Sequence, residues 1–164
     1  MKRLLLVALA VAFVGSAVGW RWSVTAQEPD PFIGKWTVNI AKSKFEPGPA
    51  AKSWNRSIVD RGNDVWLVTD EIVNADGTQV YQQMAFKMDG LEYPIARKGA
   101  PVALTIALKR LDKLNVEYTL KAEGKIILST GGVMSKDGKT YTENQKWTNA
   151  QGKPLNDTVV FEKQ

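Results

Sequence analysis

Neither cysteine nor histidine occurs among the 164 residues of the chain. The absence of cysteine excludes a disulfide framework, a thiol nucleophile and a cysteine-ligated zinc or iron–sulfur site. The absence of histidine removes the side chain that most often serves as general base and metal ligand. We therefore predict no metal site and no cofactor. Stability must come from burial, and one domain of this length can bury roughly two-thirds of its unfolded surface.

The chain also has little clustered charge. Its formal net charge is +5, but three of its 22 positive residues precede residue 27, namely Lys2, Arg3 and Arg21. The remainder carries 19 positive and 17 negative residues, and its basic doublets, Arg97-Lys98 and Lys109-Arg110, are short. Because nucleic-acid binding requires positive charge gathered on one face, we predict no nucleic-acid partner.

The first 26 residues have the organisation of a signal peptide. A positive start precedes an apolar run from Leu4 to Val18, and Val24-Thr25-Ala26 supplies the small residues of a cleavage site. There is no twin-arginine pair, which favours the general secretory route. We predict a helical signal peptide at 1–26 with cleavage after Ala26, and a secreted or periplasmic domain at 27–164.

A retained membrane anchor is the alternative for this segment. The uncharged run from Leu4 to Trp20 has 17 residues, the lower limit for crossing a bilayer of about 30 Å. Cleavage is favoured because a small-residue site follows the run and a stop-transfer charge cluster does not. After cleavage we expect no stable membrane insertion.

The rest of the chain is patterned as strands. Gly34, Trp36, Val38 and Ile40 fall on one face of the first predicted strand, and this period of two is typical of a half-buried strand. The clearest alternation runs from Val102 to Lys109 and again from Leu114 to Lys121. The segment 64–73 is apolar on both faces, so its inward side stays open.

Turn-forming residues separate these strands. We predict a loop from Ala41 to Ala51 because it contains Pro47-Gly48-Pro49, and a bulge or bend at Gly131-Gly132. We expect the Tyr93-Pro94 step to end pairing in its strand. The predicted turns are Asn74 to Gly77, Asp89-Gly90, a turn near Asp112, Glu123-Gly124, Asp137-Gly138 and Asn149 to Gly152.

About nine or ten short strands with no convincing helix indicate a sandwich or an up-and-down barrel. The barrel is favoured because successive hairpins pair neighbours in sequence and because closure removes exposed sheet edges. We therefore predict an all-β, antiparallel up-and-down β-barrel of 8–10 strands.

The two ends of the predicted domain resemble known barrels. Pro31 to Trp36 resembles the opening G-x-W signature of lipocalins and fatty-acid-binding proteins, and Thr158 to Lys163 resembles the closing strand of the fatty-acid-binding branch. The whole domain is similar to small exported bacterial proteins with a lipocalin-like barrel and no established activity. The resemblance implies that Trp36 plugs the closed end, with Gly34 and Phe161 also structural. It implies no carboxylate clamp, because Val159 and Phe161 occupy the positions of the family's Arg-x-Tyr.

Polar side chains accompany the apolar faces into the predicted interior. Arg56 shares a face with Trp54 and Ile58, and Arg110 continues the row that contains Leu108. A buried arginine requires an internal carboxylate, water or a ligand anion, so both arginines are candidates for holding an acidic headgroup. Alternatively, Arg110 lies at the strand end, reaches solvent and binds nothing.

Other residues on these faces suit the wall of an apolar cavity. Tyr141, Glu143, Gln145 and Trp147 share one face of the penultimate strand, while Gln82 interrupts an apolar row. A filled interior is the alternative, because eight strands leave only just enough room for side chains. The predicted ligand-binding residues are Arg56, Trp66, Gln82, Met84, Phe86, Arg110, Tyr118, Tyr141 and Trp147.

The predicted function is that of a monomeric, exported carrier that binds a small, largely apolar molecule, with or without an acidic group. An interaction module with a filled interior is the alternative, using an exposed face or the segment from Ala41 to Ala51. A cofactor-free enzyme is the third reading. It is the weakest, because Asp70 and Glu71 point to opposite faces and no Ser, Lys or Tyr has a visible activating base.

Overall fold

The computed structural model describes residues 29–46, 48–148 and 152–164. The predicted signal peptide, Pro47 and most of the Asn149 to Gly152 turn lie outside these ranges. No helix that could cross a bilayer occurs within them. Eleven strands do: β1 Gly34–Val38, β2 Lys44–Glu46, β3 Ser53–Asp60, β4 Trp66–Val73, β5 Gln79–Phe86, β6 Asp89–Arg97, β7 Leu104–Arg110, β8 Asn115–Ala122, β9 Lys125–Met134, β10 Thr140–Thr148 and β11 Pro154–Lys163.

The strands form a closed antiparallel barrel. Strand β1 pairs with β3 on one side and with β11 on the other, and β3 to β11 pair in sequence order. The ring therefore has ten strands, at the upper limit of the predicted number. The predicted all-β, up-and-down barrel is confirmed, and closure removes the free edges that an open sheet would expose.

Strand β2 corrects the prediction that Ala41 to Ala51 is entirely loop. Phe45 is the partner of Asp157 in β11, and the amide of Glu46 donates to Asp157 Oδ1 over 2.9 Å. After a turn, strand β2 therefore pairs with the same edge of β11 as β1 does, farther along that strand. It is only three residues long because the following Pro47 has no amide hydrogen to donate.

Strand β6 differs from the sequence prediction in two ways. Asp89-Gly90 begins the strand and is not a turn; Gly90, at φ 81°, instead accompanies a register shift between Asp89 and Glu92. Tyr93-Pro94 does not end pairing, because Pro94 pairs with Thr105 in β7. From Ile95 onward the strand pairs with β5 instead. Pro94 thus marks a change of neighbour, as its missing amide hydrogen allows.

Two smaller predictions were wrong. Ile40 lies in the turn after β1 and is 36% exposed, so the inward face of β1 ends at Val38. Gly131 and Gly132 pair regularly with β8, and the irregularity lies instead where the register shifts between Leu120 and Lys121. Of the two glycines, only Gly132 is required for space, and the pair forms no bend.

Gly132 leaves room for the Tyr141 ring. A Cβ atom at position 132 would lie 2.4 Å from the Tyr141 hydroxyl and 2.8 Å from its ring, whereas a Cβ atom at Gly131 would meet nothing within 4 Å. Gly132→Ala should therefore lower the free energy of unfolding by about 1–3 kcal/mol, as overpacking does. Urea denaturation checks this, with Gly131→Ala as the matched control, expected within about 0.5 kcal/mol of the parent. Equal costs for the two variants would contradict the packing argument.

The inward face is apolar at one end and polar near the middle. Strand β4 buries Trp66, Val68 and Asp70, which settles the face that the sequence left open. Strands β7 and β8 bury their alternating apolar residues as predicted. Near one end the barrel is packed with aromatic and aliphatic side chains, including Phe32, Trp36 and Phe86. The other end is the mouth.

Candidate ligand-binding site

The barrel contains an inner cavity that opens into a wider mouth. The inner cavity has a volume of about 140 Å³, and the mouth pocket a volume of about 870 Å³. Phe45 and residues 48, 49 and 51 line the mouth, so the segment after β1 partly covers the open end. Six residues line both spaces, and the region that they surround is called the passage below: Trp54, Ile72, Arg97, Leu120, Leu128 and Gln145.

The opposite end of the barrel is closed by aromatic packing. Trp36 is 1% exposed, and its indole Nε1 donates to the Phe32 carbonyl over 2.9 Å. The Tyr141 ring lies edge-on to Phe32 and stacks on Phe161, with centroid distances of 5.2 and 6.1 Å. Gly34, at φ 143°, begins β1 beside the Lys163 side chain. Trp36 and Phe161 are thus packing residues at the base of the cavity.

Arg110 belongs to this closed end. Its Nη2 forms an ion pair with Asp30 Oδ2 at 2.6 Å, and its guanidinium lies over the rings of Phe32 and Trp66 at 5.2 and 5.1 Å. Arg110 is the last residue of β7, as the alternative predicted, but its guanidinium contacts Asp30 and two rings within the chain. The guanidinium holds the N-terminal segment against the barrel, and Arg110 does not line the inner cavity. Its predicted role toward a ligand stays a prediction.

Arg56 lies at the centre of a buried charge cluster. Its Nε donates to Asp70 Oδ1 over 2.7 Å, and its Nη1 donates to Glu143 Oε1 over 2.5 Å. Both carboxylates are fully buried. The sequence left three possible partners for a buried arginine, namely an internal carboxylate, water or a ligand anion. In the structure the partners are internal carboxylates. The guanidinium also lies 4.8 Å from the Phe161 ring centroid, which adds a cation–π contact.

Neutral donors complete the coordination of both carboxylates. Asp70 also accepts from the indole of Trp54 and from Gln82 Nε2, over 3.0 and 2.9 Å. Glu143 Oε2 accepts from the hydroxyl of Tyr118 over 3.0 Å and from Gln145 Nε2 over 2.7 Å. Each oxygen of the two carboxylates therefore receives at least one hydrogen bond, as the burial of an ionised carboxylate requires.

Arg97 connects this cluster to the mouth. Its Nε and Nη2 both donate to Gln82 Oε1, over 2.8 and 2.6 Å, and Gln82 in turn donates to Asp70. Burial lowers the pKa of Arg97, and the negative charge of Asp70 opposes that shift. Gln82 is thus the link between a half-buried arginine at the mouth and the buried ion pair.

The cluster shifts the pKa values of its arginine and of two neighbouring tyrosines. Burial by itself would lower the pKa of Arg56, but Asp70 and Glu143 outweigh it and raise that pKa well above its usual value. Burial, followed by the charge of Glu143, raises the pKa values of Tyr118 and Tyr141. Both tyrosines therefore stay protonated over the physiological range and act as hydrogen-bond donors, not as bases or nucleophiles.

These tyrosines should weaken the fold at alkaline pH. Their folded pKa values are raised, so their contribution is complete below the unfolded value near 10.0 and is lost as pH rises toward the folded value. Above pH 10 the free energy of unfolding should fall by up to about 1.4 kcal/mol per pH unit for each tyrosine. Urea denaturation at increasing pH checks this. Tyr118→Phe should show a shallower fall, and an unchanged slope would contradict the assignment.

Most of the residues predicted to bind ligand line the inner cavity. Trp66, Met84 and Phe86 form part of its apolar wall, each less than 10% exposed. Trp147 lies at the mouth, 37% exposed, with its indole donating to Asp157. Whether these residues contact a ligand stays a prediction. The predicted residues that line the inner cavity are Arg56, Trp66, Gln82, Met84, Phe86, Tyr118 and Tyr141.

Sequence reasoning did not select several members of the cluster. Asp70 was missed because both faces of 64–73 are apolar, and Arg97 because pairing was expected to end at Pro94. Glu143 and Gln145 were placed on an inward face but not assigned a role. The requirement that a buried arginine has a counter-charge was the usable signal, since it demands an inward carboxylate near Arg56.

Fold and site together define a closed, ten-stranded antiparallel barrel with a mouth, an inner cavity and a buried ion pair. Among solved structures, the chain is similar to the zebrafish ileal bile acid-binding protein in complex with cholic acid. That alignment has a TM-score of 0.55 and 16% identity, and covers 82% of this chain and 99% of that chain. The chain is also similar to EF1p2_mFAP2b bound to DFHBI, with a TM-score of 0.52, 10% identity, and coverage of 82% and 94%.

These similarities establish the fold. The predicted lipocalin-like and fatty-acid-binding-protein-like architecture is confirmed, because both alignments extend over nearly the whole of the neighbouring chain. No protein-family model matches the sequence, and no curated protein matches it. At identities this low the ligands of the two neighbours do not transfer residue by residue.

Proposed function

We propose that the chain is a non-catalytic binding protein that holds a small, largely apolar molecule inside its barrel. The observation that carries this proposal is the passage from the mouth into the inner cavity. Its walls combine apolar side chains with a few fixed polar groups, which is the composition expected of a small-molecule site. That two neighbouring barrels were solved with cholic acid and with DFHBI supports a small-molecule ligand for this barrel.

The size of the two spaces sets where the ligand lies. The inner cavity alone is smaller than the 300–1,000 Å³ that is usual for ligand pockets, whereas the mouth is within that range. We therefore place the apolar end of the ligand in the inner cavity and the rest in the mouth, beside Trp54 and Trp147. Both indoles are then within reach as reporters of binding.

Native mass spectrometry of purified residues 27–164 tests this proposal. We expect a co-purified small molecule, or saturable quenching of tryptophan fluorescence by at least one of a panel of fatty acids, retinoids and aromatic compounds. Trp147→Phe should remove part of that response, because Trp147 lines the mouth. A bare mass together with no response to the whole panel would overturn the carrier proposal.

The cellular role extends this proposal. The N-terminal sequence supports export through the general secretory route to the periplasm or medium, where the barrel would act as a monomeric carrier. Detection of the chain beginning at Gln27 in the exported fraction tests the cleavage. We propose no catalytic step in the site: donors engage its carboxylates, and burial raises the pKa values of its tyrosines, which favours their protonated form.

An interaction module remains the second candidate, since the inner cavity is small and apolar side chains are exposed beside the mouth. Ile126 is 60% exposed and lines a shallow groove together with Ile127 and Trp147. This reading expects a partner protein to cover the groove. It would gain support if Ile126→Lys abolished a protein complex while the fluorescence response to the ligand panel was absent in the parent.

A further inference from the structure

We infer that the ligand of this barrel is uncharged, and that an anionic or cationic molecule of the same shape is rejected by the buried charge cluster. This inference rests on the proposed function and narrows its ligand class. It departs from the expectation that Arg56 holds an acidic headgroup. Two observations support it: the charges of the cluster balance one another, and the Arg56 guanidinium already donates to two carboxylates.

The charges of the buried cluster balance without a ligand. Arg56 and Arg97 supply two positive charges, and Asp70 and Glu143 supply two negative charges. A continuous chain of hydrogen bonds joins all four through Gln82. An added ion would therefore leave one unit of charge uncompensated in a region of low dielectric, where such an imbalance is costly.

Every nitrogen of the Arg56 guanidinium already donates to a buried carboxylate. Nε and Nη2 face Asp70, at 2.7 and 3.3 Å, while Nη1 faces Glu143. A ligand carboxylate would have to displace one of these fully buried carboxylates or approach both as a like charge. At Arg97, Nε and Nη2 are likewise directed to the amide oxygen of Gln82.

The inner cavity limits the shape of the neutral molecule. Its volume of about 140 Å³ is close to that of an engineered apolar cavity that binds benzene, roughly 150 Å³. One aromatic ring or a similar compact apolar group therefore fits inside, and a second ring fused to it would lie at the passage. A hydroxyl or carbonyl group on the same molecule would lie at the passage, near the amide of Gln145. We assign the site to a neutral, compact apolar compound that carries one such polar group.

Three matched probes test the inference: 2-naphthylmethanol, 2-naphthoate and 2-naphthylmethylammonium, titrated calorimetrically at neutral pH. We expect the alcohol to bind at least about tenfold more tightly than either ion. Naphthoate binding as tightly as the alcohol would overturn the inference and leave the carrier proposal standing. If none of the three probes binds and no member of the wider ligand panel binds either, both the inference and the carrier proposal are contradicted.

Variants that change the charge of the cluster should change the preference. Glu143→Gln leaves one positive charge in excess and should increase the affinity for naphthoate at least about tenfold relative to the alcohol. Arg97→Met leaves one negative charge in excess and should favour the ammonium probe. Glu117→Gln, at an exposed position of β8, is the matched control for Glu143→Gln, with the same change in total charge. The comparison of the three probes on the parent protein does not depend on whether a variant folds. An unchanged preference between probes in variants that do fold would contradict the mechanism.

Discussion

Replacing Arg56 with methionine should lower the free energy of unfolding by about 3–5 kcal/mol. The substitution removes the counter-charge of Asp70 and Glu143, which are both fully buried. Breaking a buried pair by removing one partner is costly because the remaining charge stays desolvated. Here two like charges remain, facing each other without a cation between them. Urea denaturation followed by circular dichroism measures the loss.

The triple variant Arg56→Met, Asp70→Asn, Glu143→Gln is the matched control for that experiment. It removes all three charges while keeping side chains of similar size, so most of the lost stability should return. Recovery would assign the cost of the single variant to uncompensated charge. A triple variant as unstable as Arg56→Met would instead show that the packing of the guanidinium against Trp54 and Phe161 is what matters.

The ion pair also shows why the fold was easier to predict from the sequence than the site. Alternation is a local property, and it was enough to place Arg56, Leu104 and Leu120 on inward faces. Pairing between distant strands is not local: Arg56 in β3 meets Glu143 in β10 across 87 positions of sequence. Periodicity gives the face of each residue, but not its height in the barrel or its neighbour across the interior.

The missed elements have similar physical reasons. Proline and glycine between Pro47 and Pro49 indicated a loop, yet an amide at Glu46 still found an acceptor in Asp157. Pro94 indicated the end of a strand, yet the missing amide hydrogen affects only one side of the residue, and the other side remains paired with β7. In both cases a local rule was overridden by a tertiary partner, and the second case concealed Arg97.

Replacing Trp36 with alanine should lower the free energy of unfolding by about 3–5 kcal/mol, the cost usual for a fully buried tryptophan. Trp36 is 1% exposed, packs on the Tyr141 ring at 6.2 Å and donates to the carbonyl of Phe32. Trp36 also pairs with Lys163 in the β1–β11 ladder. The substitution therefore removes packing beside the strand pair that closes the barrel. Urea denaturation measures it.

Two further variants distinguish the packing role of Trp36 from the general effect of losing a tryptophan and from a role in ligand binding. Trp36→Phe keeps a ring in place but loses the indole donor, so it should cost less than alanine. Trp147→Ala removes a tryptophan that is 37% exposed and should cost at most about 1–2 kcal/mol. Because Trp36 does not line the inner cavity, Trp36→Phe should leave the affinity for 2-naphthylmethanol within about twofold, a change of less than 0.5 kcal/mol. A large loss of affinity with little loss of stability would mean that Trp36 contacts the ligand and is not a plug.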